Sequence, residues 1–113
     1  MPLMGIKENK CFEQIPGTIW TTTLTQPADL SDGASWTYEF DSTMVPAEFW
    51  NKCAINVTPI VNTIDPITAD IGIFAGRINV EGHKRIRVQV WHTGINNYDI
   101  PSGTQYIVTL IAL

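Results

Sequence analysis

Apolar and polar residues alternate along most of the chain that follows Gly17. The clearest alternation lies in residues 84–92 (KRIRVQVWH), where every second residue is aliphatic and the residues between them are Arg, Arg and Gln. A period of two is typical of a strand with one buried face. Similar runs, rich in β-branched and aromatic residues and bounded by Gly, Pro, Asp and Asn, predict six strands. They lie at residues 18–25, 34–40, 53–61, 70–80, 84–92 and 104–113.

Prolines and glycines refine this pattern. Pro46 opens the segment PAEFWNK, and a proline at a first helical position predicts a short helical turn there. Pro59 cannot donate a hydrogen bond to a neighbouring strand, so its strand is predicted to lie at a sheet edge or to end there. In residues 70–80 the apolar phase changes after Gly76, which predicts a β-bulge near that residue.

The predicted fold class is all-β: a single antiparallel β-sandwich, jelly-roll-like, with at most one short helical turn. No sustained helical period and no internal repeat is visible in the sequence. Residues 17–113 are assigned to the sandwich and residues 1–16 to an N-terminal arm. The arm carries apolar residues that a solvated tail lacks, so we expect it to pack on its own domain or on a neighbour. These residues include Leu3, Met4, Ile6 and Phe12.

Composition narrows the classes of partner. The chain has 113 residues, enough for one core, and only 16% of them are charged. Its net charge of −4 argues against a nucleic-acid partner, since such proteins carry clustered Lys and Arg. No apolar run reaches the ~20 residues that span a bilayer, and no secretory signal is visible, so we expect no membrane partner. Cys11 and Cys53 are expected to be small buried side chains, and a disulfide bond between them is the alternative.

Candidate catalytic chemistry is sparse. Only His83 and His92 carry side chains that titrate near neutral pH, and neither lies in a recognisable motif. His83 is expected in a solvated turn, and His92 at the margin of the core. The loop carboxylates are expected to form turns, with a calcium site as the alternative; they are Asp29, Asp32, Asp65 and Asp70. We therefore expect no enzyme activity, no cofactor and no metal.

The last predicted strand is apolar on both faces. Tyr106 and Val108 lie on one face, whereas Ile107, Ile111 and Leu113 lie on the other. Antiparallel sheets usually have one solvated face, so the second face is expected to be covered by the arm, by a loop or by another chain. Arg85 and Arg87 form an outward row that an acidic partner could meet. The predicted interface residues are Leu3, Met4, Ile6, Phe12, Arg85, Arg87, Ile107, Ile111 and Leu113.

The style of the sequence resembles that of small structural proteins of tailed bacteriophages, in particular the capsid decoration or cement proteins. The resemblance rests on the MPLMG start with its apolar arm, on the Thr-rich strand TIWTTTLT and on the final strand YIVTLIAL. It implies a virion protein on the capsid exterior that stabilises contacts between capsid subunits. Its partners would be the major capsid protein and copies of itself, in a homo-oligomer.

An alternative function is a carbohydrate-binding module of a tail fibre or of a lectin-like protein. Exposed aromatic rings beside Asn and Asp in a shallow groove would stack on sugars. The candidate residues for this groove are Trp50, Trp91, Asn96, Asn97 and Tyr98. A third class, a small jelly-roll enzyme, would need His83 or His92 to converge with carboxylates around a metal.

Overall fold

A computed structural model describes residues 17–62 and 64–113 and shows an all-β protein, as the alternating pattern predicts. The predicted arm, with Leu3, Met4, Ile6, Cys11 and Phe12, lies outside the described residues. The described strands are β1 (Ile19–Thr25), β2 (Ser35–Phe40), β3 (Cys53–Ile60), β4 (Ile71–Val80), β5 (His83–His92) and β6 (Gln105–Ala112).

The strands form two antiparallel sheets of three strands each. Sheet 1 has the order β1-β6-β3, and sheet 2 has the order β2-β5-β4. The edge position of β3 agrees with the prediction made from Pro59, because an edge strand tolerates a residue without an amide hydrogen. A jelly roll has eight strands, whereas the described part of the chain contains six.

The core lies between the two sheets and is built mainly from the central strands. Val88 and Val90 of β5 and Val108 and Leu110 of β6 have no exposed surface. Aromatic rings fill the space at the side of β1 and β2. The ring centroids are 6.0 Å apart in the Trp20–Phe40 pair and also in the Trp36–Tyr106 pair. Each pair joins a residue of one sheet to a residue of the other, so the alternating inward side chains hold the two layers together.

Within residues 17–62 and 64–113, two short helical segments lie between strands, one more than predicted. Ala47–Trp50 is a 3-10 helix that follows Pro46, as expected. The second is Pro66–Asp70, in a stretch that the sequence pattern assigned to a loop. Its start is fixed because the carboxylate of Asp65 accepts a hydrogen bond from the amide of Ile67 at 3.0 Å and Pro66 occupies the first turn.

The predicted bulge at Gly76 is wrong. The strands β4 and β5 pair without interruption from Ile71 opposite His92 to Val80 opposite His83. The phase change in the sequence arises because the apolar residues in the second half of β4 lie on the outer face of the sheet. Glu81 and Gly82, both with positive φ, close this hairpin in a two-residue turn.

A buried polar pair closes one end of sheet 1. The side-chain amide of Gln26, just after β1, accepts a hydrogen bond from the hydroxyl of Tyr106 at 2.6 Å. The same amide donates to the carbonyls of Ala28 and Ile100, at 2.8 and 2.9 Å. These bonds tie the loop after β1 to the segment that leads into β6.

Candidate functional site

The outer face of sheet 1 is a surface without charged residues. It comprises four outward positions from each of its three strands, and we call it the uncharged face. Five of these residues are Thr and four are Ile, with one Ala, one Asn and one Gln. The residues are Ile19, Thr21, Thr23, Thr25, Ala54, Asn56, Thr58, Ile60, Gln105, Ile107, Thr109 and Ile111.

Large aliphatic side chains on the uncharged face are open to solvent. Ile19 is 61% exposed, Ile60 49% and Ile107 40%. The register places Ile107 between Thr23 and Thr58 in the middle of the face. The described part of the chain therefore does not provide the cover that the sequence led us to expect over the second face of β6.

The predicted interface residues fall on different sides of the sandwich. Ile107 and Ile111 lie on the uncharged face. Leu113 comes directly after β6, and 54% of its surface is exposed. Arg85 and Arg87 point outward from β5, the central strand of sheet 2. Because the outer faces of the two sheets point in opposite directions, these residues do not form one continuous patch.

Arg87 already has an acidic partner within its own sheet. Its Nε and Nη2 atoms lie 2.8 and 2.7 Å from Oε2 of Glu39 on the neighbouring strand β2. Arg85 approaches the other oxygen of the same carboxylate, with its Nε 4.0 Å from Oε1. One carboxylate is thus shared by two guanidinium groups, and Asp41, which follows β2, brings a second carboxylate into electrostatic interaction with Arg85.

Two aromatic rings on the outer face of sheet 2 lie over glycines, and we call them the aromatic shelf. A Cβ atom added at Gly72 would lie 2.6 Å from Cζ2 of Trp91. One added at Gly76 would lie 3.0 Å from Cζ of Phe74. Both distances are shorter than ordinary van der Waals contact. At Gly72 a side chain would require the ring of Trp91 to move, whereas at Gly76 a shift of a few tenths of an ångström by the ring of Phe74 would make room. Trp91 remains 39% exposed and Phe74 46%.

The two tryptophans of the predicted sugar groove lie in different surroundings. Trp91 is on the outer face of sheet 2, whereas Trp50 packs against the core and its indole N–H donates to the carbonyl of Val45 at 3.2 Å. A ring held in this way lacks the open face that stacking on a sugar requires. Asn96, Asn97 and Tyr98 lie in the exposed loop that follows β5.

The loop of residues 93–98 is organised around the buried carboxylate of Asp70. Its Oδ1 accepts hydrogen bonds from the amides of Asn96 and Asn97 at 2.7 and 3.1 Å, and its Oδ2 accepts one from Tyr98 at 3.1 Å. Burial acts to raise the pKa of Asp70, but the three amide donors outweigh it and hold the pKa below its usual value. Asp70 therefore acts as an internal anchor for this loop.

His92 takes part in the same arrangement. It is 4% exposed, and its Nδ1 accepts a hydrogen bond from the amide of Gly94 at 3.0 Å. Its Nε2 lies 2.7 Å from the carbonyl oxygen of Tyr98, so Nε2 carries the proton and donates. The prediction of a satisfied histidine at the core margin is confirmed. His83, at the exposed start of β5, lies at the opposite end of the same strand.

Among the other candidate ligands, Asp29 and Asp65 have structural partners, whereas the side chain of Asp32 is 70% exposed. Asp29 accepts a hydrogen bond from the amide of Ser102 at 2.7 Å, and Asp65 caps a helical turn. Cys53 is a free, partly buried thiol whose pKa is raised by burial. Within residues 17–62 and 64–113, no three His, Cys, Asp or Glu side chains are grouped to hold a metal ion. The same residues include no helix of the length and hydrophobicity that a membrane span requires.

Sequence reasoning missed the aromatic shelf, although a signal for it was present. Gly72, Phe74 and Gly76 alternate on one face of β4, and small residues on either side of a large one mark a position where a ring can lie down. Nothing in the sequence pointed to the partners of Asp70, which lie 26 to 28 residues further along the chain. Comparisons of the chain with protein-family models, with curated proteins and with solved structures found no match.

Proposed function

We propose that this protein is a non-enzymatic structural subunit that holds protein subunits together, as a decoration protein on the outside of a tailed-phage head. The uncharged face of sheet 1 is its contact surface, towards copies of the same chain and towards the major capsid protein. The fold suits this role because a rigid sandwich presents a fixed outer sheet to a neighbour.

The observation that carries the proposal is the absence of charge from all twelve positions of the uncharged face. Depletion of charged side chains, rather than hydrophobicity as such, is the compositional mark of the centre of a protein interface. Solvated outer faces of sheets usually carry Lys and Glu, which also prevent sheets from sticking together. Rows such as Thr23, Ile107 and Thr58 combine aliphatic contact area with hydroxyl groups that can form hydrogen bonds across an interface.

The size of the uncharged face indicates how it would act. Strands of seven or eight residues and a strand spacing of about 4.8 Å give a flat area on the order of 300–400 Å². A stable two-body interface needs about 800 Å² from each partner. One such contact is therefore weak by itself, and it becomes strong where several contacts act together in a closed assembly. A decoration protein on a symmetric shell makes several such contacts at the same time.

Two polar groups that could perform chemistry, His92 and Asp70, are used within the fold. Both ring nitrogens of His92 bond to backbone groups, and the carboxylate of Asp70 is shared among three amides. A general base needs a lone pair that faces a substrate. This internal use supports a binding role rather than a catalytic one.

Self-association of the purified chain tests the contact surface. We expect sedimentation velocity to show concentration-dependent association of the wild type at high micromolar concentrations. The variant Ile107→Arg places a charge in the centre of the uncharged face and should remain monomeric. The matched control is Thr37→Arg, an exposed position on the outer face of sheet 2, which should associate like the wild type. Equal association of the two variants would refute the assignment of this surface.

Binding to phage heads tests the biological role. Heads are assembled from the major capsid protein encoded in the same genome, mixed with the chain and sedimented. The wild type and Thr37→Arg should co-sediment with the heads, and Ile107→Arg should stay in the supernatant. A wild-type chain that is left in the supernatant would overturn the decoration role.

A further inference from the structure

We propose that His92 operates a proton-driven switch at the start of the loop that follows β5. In the neutral ring, Nδ1 accepts a hydrogen bond from the amide of Gly94. In the protonated ring, Nδ1 donates to the carboxylate of Asp32 instead, and Gly94 is released. The switch moves Ile95, the next residue along the chain, which is 68% exposed. It uses no residue of the uncharged face, so it does not depend on the assembly role proposed above.

The hydrogen bonds of the buried ring show where a second proton can bind. Nδ1 of His92 accepts from the amide of Gly94 at 3.0 Å, and Nε2 lies 2.7 Å from the carbonyl oxygen of Tyr98. A carbonyl oxygen only accepts, so Nε2 carries the single proton of the neutral ring and Nδ1 keeps its lone pair. A second proton therefore binds at Nδ1, where it takes the place of the Gly94 hydrogen.

Asp32 supplies the replacement partner for Nδ1. Its Oδ1 lies 3.9 Å from Nδ1 of His92. The same oxygen adjoins Gly94, because a Cβ atom added at this glycine would lie 2.8 Å from it. The side chain of Asp32 is 70% exposed, and an approach of about 1 Å would give it a charge-assisted hydrogen bond to the protonated ring.

The segment that can move is short, because the residues on both sides of it are fixed. The amide of Thr93 donates to the carbonyl of Asp70 at 2.9 Å, and the amide of Asn96 donates to Oδ1 of the same residue at 2.7 Å. Gly94 and Ile95 lie between these two anchors. The amide of Ile95 is 3.3 Å from the hydroxyl of Thr93, a long contact that a small movement breaks. Gly94 has a φ of 78°, which glycine adopts without strain.

Two carboxylates face His92 from the elements packed against it. Asp32 belongs to the turn before β2, and Asp70 precedes β4 and interacts electrostatically with the ring. Residues 93–97 of the loop carry no titratable side chain. The three amide donors hold the pKa of Asp70 below its usual value, so this carboxylate is still ionised at the pH at which an imidazole takes up a proton. The loop anchor therefore remains in place while the switch operates.

A general loosening of the domain in acid is the competing explanation. Carboxylates throughout the fold would then lose their hydrogen bonds, and all amides of the loop would become accessible together. The proposed switch instead releases Gly94 while Tyr98 stays bound. The two explanations differ in which amides respond, so the experiment must measure amides one by one.

The test is an NMR titration of the ¹⁵N-labelled chain from about pH 8 to about pH 5. The shifts of the ring nitrogens report the protonation of His92. Hydrogen exchange, corrected for the intrinsic effect of pH, reports the protection of each amide. We expect Gly94 to lose about tenfold in protection as Nδ1 takes up its proton, which corresponds to one hydrogen bond. The protection of the amides of Asn96 and Tyr98 should not change.

Two variants identify the groups that operate the switch. His92→Asn places at this position an amide oxygen that can accept a hydrogen bond but does not titrate, so Gly94 should respond to pH no longer. Asp32→Asn should lose the protection of Gly94 only at a lower pH than the wild type, because a neutral amide does not favour a charged ring. The matched control is His83→Asn, at the exposed start of β5, which should behave like the wild type.

The titration of the wild type is sufficient to overturn the proposal. It is wrong if Nδ1 of His92 stays unprotonated down to about pH 5, or if Gly94 keeps its protection once Nδ1 is protonated. It is also wrong if Gly94, Tyr98 and the amides of β6 lose protection together. An Asp32→Asn variant that responds at the same pH as the wild type would exclude Asp32 as the replacement partner. Failure of the decoration role would appear in the sedimentation experiments and would leave this titration unaffected.

Discussion

The hydrogen bond between Tyr106 and Gln26 offers a direct test of what holds sheet 1 to its loops. Tyr106 is fully buried and Gln26 is 1% exposed, and the hydroxyl and the amide oxygen are 2.6 Å apart. The variant Tyr106→Phe deletes one oxygen atom and keeps the ring. The buried oxygen of Gln26 then loses its donor, while the rest of the packing stays as it is.

The size of the effect follows from this geometry. A buried polar group left without a partner costs about 1–3 kcal/mol of stability. For a domain of about 100 residues, each kcal/mol lowers the melting temperature by roughly 4–8 °C. We therefore expect Tyr106→Phe to reduce the free energy of unfolding by about 1–3 kcal/mol, a loss that a small domain would show clearly.

Equilibrium unfolding in urea, followed by tryptophan fluorescence, measures this loss. Tyr98→Phe is the matched control, because Tyr98 is 52% exposed and the same atom is removed in water. The control should stay within about 0.5 kcal/mol of the wild type. If Tyr106→Phe is as stable as Tyr98→Phe, the inferred cost of the orphaned amide oxygen is wrong.

Alkaline pH provides a second readout of the same pair. Burial raises the pKa of Tyr106 to about 12, whereas an unfolded tyrosine ionises near pH 10. Because the folded pKa is the higher one, the associated stability is present below pH 10 and is lost as the pH rises towards 12. The loss amounts to at most about 1.4 kcal/mol per pH unit. In Tyr106→Phe this contribution to the alkaline slope should disappear, and an unchanged slope would contradict the assignment.

Three further predictions concern other parts of the molecule. Asp70→Asn should speed amide hydrogen exchange at Tyr98, while exchange in β6 stays slow; equal protection in both proteins would exclude Asp70 as the loop anchor. Since the folded pKa of Asp70 is lowered, the stability that Asp70 contributes is present above its usual pKa and is lost as the pH falls through the folded value, so Asp70→Asn should flatten the acid limb of a stability profile. Gly72→Ala should displace the ring of Trp91 and destabilise the fold by roughly 1–3 kcal/mol, with a shift in tryptophan emission; an unchanged spectrum would show that the ring does not rest there. In a Cys11→Ser background, Cys53 should react with a thiol reagent at pH 8 more slowly than an unfolded cysteine, because burial raises its pKa; equal rates would contradict this.

Local patterns in the sequence were sufficient to locate the strands. The strand at residues 84–92 and the Thr-rich strand at residues 18–25 were found within one residue of their observed bounds, because alternation and turn residues act over a few positions. Once a strand is located, the face to which each side chain points follows from whether its position in the strand is odd or even. The contrast between the polar and apolar sides of β1 could therefore be predicted without a structure.

Pairing between distant segments decided the rest. That Ile107 lies between Thr23 and Thr58, and so completes an uncharged surface, follows only from the strand order β1-β6-β3. Glu39 neutralises Arg87 from 48 residues away in the sequence. The ring of Trp91 finds its place over Gly72 because β4 and β5 are in one register and not in another. Parity along a strand is a local property of the backbone, whereas strand order and register minimise the free energy of the whole core, and no short stretch of sequence contains that information.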